Sequence, residues 1–161
     1  MFGRFLHLER MYIMTFSLDI KEFAEKTKRN VNDVKQAAAI ELFGMIIKAT
    51  PVGNPSLWKS PPPPGYVGGR LRGNWQASLN SPIKSATNTI DSGGSGTISE
   101  MTGVVNQSVV DDTIYISNNL PYAYRVEYLG WSRQQRPEGM VRVSMTRYQE
   151  AIQKAIAKLP K

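Results

Sequence analysis

The sequence predicts an α+β domain in which a long N-terminal helix and a C-terminal helix pack on a small β-sheet, with an extended Pro/Gly-rich arm between them. Three observations carry this expectation. Apolar residues step by three and four from Ile20 to Ala49 and again from Val141 to Leu159. Two short runs, Asn74 to Asn80 and Thr113 to Asn118, alternate with the period-two pattern of half-buried strands. Pro51 to Gly69 holds six of the ten prolines, too many for any packed element.

The first helix is expected from Asp19 to Ala49, about 45 Å long if unbroken. Ser17 or Asp19 caps it, Glu22 and Glu25 lie toward the positive end of its dipole, and Thr50-Pro51 stops it. Asn30 and Asn32 are weak helix formers, so a second start near Asn32 competes with the single helix. The arm follows at 51–69, its contiguous prolines Pro61, Pro62, Pro63 and Pro64 reading as a polyproline II rod. Two aromatics in it, Trp58 and Tyr66, either fold back on their own domain or plug into a neighbour; the second is favoured.

Arg70 and Arg72 precede the first strand and share one face if extended. That strand either ends at Asn80 or continues through Ile83. The DSGGSG stretch at 91–96 reads as a flexible connection, since it lacks both the P-loop ending and the dinucleotide spacing. Thr97-Ile98-Ser99-Glu100 fits a capping box opening a short helix; the β-branched Val104, Val105, Val109 and Val110 make a strand the competitor. Asp111-Asp112 reads as a turn into the second strand. Asn118 or Asn119 then caps a short helix with Pro121 in its first turn, Tyr122, Val126 and Leu129 on one face, and Gly130 at its end. Trp131 to Gly139 reads as a surface loop. Met140 to Ser144 opens the terminal helix or forms a last short strand before it.

Length and composition bound the function. A chain of 161 residues fits one domain, here 17–161 behind a tail at 1–16, with Met1, Met11 or Met14 as the start. There is no cysteine, and the one histidine, His7, lies in the tail, which argues against disulfides, thiolate or imidazole catalysis and Cys/His metal centres. No cofactor and no metal are expected. No apolar run reaches the roughly 20 residues that span a bilayer, so no membrane partner is expected.

The net charge is +7 and the pI about 9.7, but the charges are segregated. Leu42 to Ile90 carries five basic and no acidic residues, Asp91 to Leu120 four acidic and no basic, and Pro121 to Lys161 eight basic against three acidic. Opposite-sign blocks in separate elements suit head-to-tail stacking of copies; solvated surface is the plainer alternative.

Two blocks of residues are similar to a known family. One is Asn118-Asn119-Leu120-Pro121-Tyr122-Ala123, an acidic residue, Gly130-Trp131-Ser132, then Pro137-Glu138-Gly139-Met140-Val141-Arg142. The other is Thr50-Pro51-Val52-Gly53 followed by Gly69-Arg70-Leu71-Arg72-Gly73-Asn74-Trp75. In this order, over roughly Asp19 to Lys158, they resemble the neck and tail-completion proteins of long-tailed bacteriophages, the small virion proteins where head joins tail. The departure is Asn54 to Gly68, which separates the halves of the second block; many relatives join them almost directly.

The resemblance implies a structural virion protein, made in the bacterial host cytoplasm, not an enzyme, that forms a homo-oligomeric ring at the head-tail junction. Its partners would be copies of itself, other neck, connector and tail proteins, and non-specific contacts to packaged DNA. On this reading Trp58, Pro61 to Pro64, Tyr66, Arg70, Arg72, Tyr122, Glu127, Trp131, Arg133, Arg136 and Met140 form subunit or partner surface. Core packing of Tyr122 and Trp131 and a solvated ion pair at Glu127 are the plain alternatives. The rival function is a basic nucleic-acid-binding module, with Arg70, Arg72, Arg142 and Arg147 facing DNA.

Overall fold

The computed structural model describes residues 20–22, 24–25, 30–132 and 138–158. Its elements are α1 (Val31–Ala49), a 3-10 turn (Pro55–Leu57), α2 (Arg70–Gly73), β1 (Gln76–Leu79), α3 (Ser95–Val105), β2 (Ile114–Ser117), α4 (Ala123–Tyr128), α5 (Val141–Met145) and α6 (Tyr148–Lys158). The expected α+β class is what the chain adopts. Central to it is α1, which contacts α3, α5 and α6, while α3 packs on the two-stranded sheet.

The apolar spacing of α1 explains this position. Ala39, Leu42, Phe43, Ile46 and Ile47 join Leu71, Trp75, Met101, Val105 and Met140 in the main core. Nearer its start, Val34 and Ala38 pack with Ile20, Ala24 and Ile152 in a second cluster. The sheet is antiparallel, pairing Gln76 with Ser117 and Leu79 with Ile114.

The single helix from Asp19 is corrected. Residues 20–22 and 24–25 are helical, but Asn30 is extended, with φ −63° and ψ 127°, and its Oδ1 accepts the Asn32 N–H at 2.8 Å, so α1 starts at Val31. The capping competition of a short polar side chain wins over propagation there. The predicted caps Ser17 and Asp19 lie outside the described residues. At the other end Thr50 stops the helix as expected: its N–H reaches the carbonyls of Ile46 and Ile47 and its hydroxyl donates to Ile46 at 2.8 Å.

The flexible reading of 91–96 is also corrected. The Asp91 carboxylate accepts from the Gly94 N–H at 2.6 Å, the Thr97 N–H at 2.8 Å and the Thr97 hydroxyl at 2.9 Å, so α3 begins at Ser95 with Asp91 as an upstream cap. Thr97 therefore lies within the first turn instead of opening a capping box. Helix wins over strand for 97–105. β1 does not run on to Ile83: Asn80 turns left-handed at φ 64°, and its side chain bonds Asp112 and the Thr113 N–H.

Nor does Asn118 or Asn119 cap α4. They tether distant backbone instead, Asn118 donating to the Leu71 carbonyl at 2.8 Å and Asn119 to that of Ile83 at 2.9 Å. Pro121 stands before α4 and Tyr122 at its N-cap position. Helix is what Val141 to Met145 adopts, so the short strand at Met140 to Ser144 is not formed and the terminal helix is split into α5 and α6.

Candidate functional site

The TPV and GRLRGNW blocks are built against each other. The buried Trp75 Nε1 donates to the Thr50 hydroxyl at 2.7 Å. Arg72 donates to the carbonyls of Thr50 at 2.6 Å and Lys48 at 3.3 Å, and also to that of Ser92 at 2.5 Å. A cation on the last carbonyls of α1 suits the negative end of its dipole. Gly73 leaves room for the Thr89 carbonyl, 2.7 Å from where a Cβ would stand. Asn74, fully buried, donates to the Arg70 carbonyl at 2.8 Å and accepts the Thr87 N–H at 2.8 Å. Arg70 and Arg72 thus sit on a helical turn, not on an extended face. Arg70 remains exposed and donates to the Asn88 side-chain oxygen at 3.3 Å.

The insertion loops out between these blocks. It is not the continuous rod expected from four prolines, because the Tyr66 N–H donates to the Pro63 carbonyl at 3.1 Å and Gly65 takes φ 72°, which closes a turn. The Trp58 and Tyr66 rings meet edge-on at 4.8 Å, with Gly53 beneath the Tyr66 hydroxyl. Pro61 to Pro64 are left exposed at the tip. Tyr122, half-buried at the start of α4, lies close enough to Arg70 and Tyr66 for both to act on its phenol, whose pKa burial raises above 10.0.

The most organised surface lies around α4. Its inward side is Ala123, Val126 and Glu127. Glu127 was expected on the docking surface, yet it is only 5 % exposed. Its Oε2 accepts the N–H groups of Met140 at 2.5 Å and Val141 at 3.0 Å, and its Oε1 accepts that of Arg142 at 3.0 Å. The carboxylate therefore satisfies the orphan donors at the start of α5 and latches that helix to α4. Gly139, at φ 91°, allows the approach: a Cβ there would lie 2.7 Å from the Glu127 carbonyl oxygen. Met140 is likewise corrected from surface to core, at 1 % exposure.

Outward, the same helix presents Tyr124, Arg125, Tyr128 and Leu129. Gly130, left-handed at φ 63°, turns the chain so that the Trp131 N–H donates to the Arg125 carbonyl at 3.3 Å. Tyr124, Tyr128, Leu129 and Trp131 are 63, 52, 56 and 59 % exposed. Guanidiniums hold the rings in place: Arg125 lies 4.4 Å over Trp131 and Arg142 lies 5.2 Å over Tyr128, while Tyr124 and Tyr128 are 4.9 Å apart. Arg142 is itself fixed by its Nε 3.4 Å from Glu127 Oε1 and by a second bond to the Glu127 carbonyl.

The structure brings Glu127, Trp131 and Met140, expected on partner surface, together with Arg142, expected to face DNA, and it buries Glu127 and Met140 as scaffold beneath the other two. Arg147 stands apart, paired with Glu150 at 2.9 Å; Arg147 and Lys154 hold the Glu150 carboxyl down at about 2. Arg133 and Arg136 lie outside the described residues. Sequence reasoning missed Tyr124 and Tyr128, and the available signal was the stripe Ala123, Val126, Glu127, which turns both outward.

Among the described residues no cluster of acidic residues and histidines is arranged to hold a metal ion, and no helix is long and apolar enough to cross a membrane. No family model, no curated protein and no solved structure matches the chain.

Proposed function

We propose that this chain is a structural virion protein of a tailed bacteriophage, assembling as an oligomeric ring at the head-tail junction and acting by surface complementarity instead of bond chemistry. One observation carries the assembly part: α4 and the turn after it present exposed Tyr124, Tyr128 and Trp131, with Arg125 of α4 and Arg142 of α5 against the rings and a buried carboxylate latch beneath. Tyr, Trp and Arg are the residue types that dominate binding energy at protein interfaces, and rings locked before contact lose little entropy on docking. Tyr124 and Tyr128 pack 4.9 Å apart while each stays more than half exposed, which supports an interaction surface here. The virion part rests on the resemblance of the two sequence blocks.

Protein contact is favoured over DNA binding because the arginines assigned to DNA are mostly engaged within the chain. Arg72 serves carbonyls, Arg147 serves Glu150 and Arg142 serves Glu127. The test is the composition and morphology of particles. The account expects the chain in purified virions and, when its gene is disrupted, filled heads and finished tails that do not join. Joined, infectious particles without it would refute the reading.

A further inference from the structure

A second exposed apolar feature lies on the turn before β2. Val109 and Val110 stand at 59 and 52 % exposure on its tip, where a turn ordinarily carries Gly, Asn, Asp or Ser. The turn is rigidly built. Asp112 accepts the Val109 N–H at 2.8 Å and the Asn80 amide at 2.7 Å, and its own N–H donates to the Val109 carbonyl at 3.0 Å. The Lys35 ammonium donates to the carbonyls of Val109, of Val110 at 3.2 Å and of Asp112 at 3.1 Å. These bonds fix the backbone and leave the two valines and the Asp111 side chain exposed.

We propose that this Val109-Val110-Asp111 knob docks on the α4 face of a second copy of the chain, its valines against Tyr128 and Trp131 and the Asp111 carboxylate toward Arg125. The inference rests on the assembly reading above and names the contact that would make it. Charge complementarity selects this occupant. The knob carries the exposed Asp111 carboxylate beside the Asp112 carboxylate and the Lys35 ammonium that bond its backbone, and the α4 face carries the Arg125 and Arg142 guanidiniums over one buried carboxylate, Glu127. The two features flank opposite ends of β2, the knob just before Ile114 and the α4 face beyond Ser117. A contact between different patches on successive copies is heterologous, and closes into a ring when the rotation permits. Both surfaces are held before they meet, which lowers the entropic cost of docking.

Charge reversal on the full chain tests this by sedimentation, with circular dichroism to confirm folding. Wild type is expected to self-associate. Asp111→Arg alone and Arg125→Asp alone should each weaken association by about tenfold or more. The two variants mixed should recover it, because each reversed patch then meets an opposite charge on the other. Val110→Ser is the second probe and should weaken association without altering charge. Wild type that associates while Asp111→Arg and Val110→Ser associate equally well would overturn the knob and leave assembly standing. A wild type that stays monomeric at its solubility limit would overturn both.

Discussion

Glu127 shows how a single residue organises the site. A carboxylate is ordinarily a surface group, and nothing local in the sequence tells that three N–H groups from 140–142 converge on it. Glu127→Ala leaves the buried Met140 N–H and the part-buried Val141 and Arg142 N–H groups without their acceptor and is expected to cost roughly 2–4 kcal/mol by denaturant unfolding. Glu127→Gln, which keeps one acceptor but turns an amide donor toward other donors, should fall between. Asp91 makes a pH prediction at the same scale. The Thr97 N–H first, then the Thr97 hydroxyl and the Gly94 and Gly96 N–H groups, hold its carboxyl below the ordinary 3.8. The unfolded chain therefore takes up the proton first as pH falls. The stabilisation is complete above the unfolded value and is lost as pH drops from about 4 through the folded pKa. Thermal unfolding of Asp91→Asn should differ most from wild type near neutrality, with the gap closing over that acidic range.

At the scale of elements, what periodicity governs was legible, whereas what side chains impose on the backbone was legible only near Asn30 and Asn32, whose weak helix propensity marks the second start. The apolar steps of α1, the alternation of β1 and β2 and the helical character of α3 all stand in the sequence. Element edges were set by asparagine and aspartate bonds that periodicity does not encode: Asn30 opens α1, Asn80 ends β1, and Asp91 starts α3 early. Asn118 and Asn119 mislead for the same reason, since an Asn before a Pro reads as a cap although here it ties the Leu71 and Ile83 carbonyls to the end of β2. Asn30→Ala should destabilise the protein by about 1 kcal/mol, as loss of an N-cap does. An unchanged denaturation midpoint would show that α1 does not depend on that side chain.

Across the whole molecule, the two blocks separated by Asn54 to Gly68 are one structural unit, joined through Thr50, Arg72 and Trp75. The ends of the insertion touch: a Cβ on Gly68 would lie 2.7 Å from the Gly53 carbonyl oxygen. Replacing 54–67 with a short Gly/Ser linker should therefore change stability by no more than about 1 kcal/mol, since closing a shorter loop costs little; a collapse of the thermal transition would mean that the loop holds the blocks together. The α4 face was half legible, because Trp131 stood out as an aromatic in a polar loop whereas Tyr124 and Tyr128 were hidden within a helix whose inward side holds a charge. Their joint exposure supports the proposed assembly face.

Hydroxyl-radical footprinting of Tyr128 and Trp131, in dilute chain and in assembled material, tests that face most directly. The account predicts strong labelling of both residues in the dilute chain and several-fold protection on assembly. Equal labelling in the two states would contradict it.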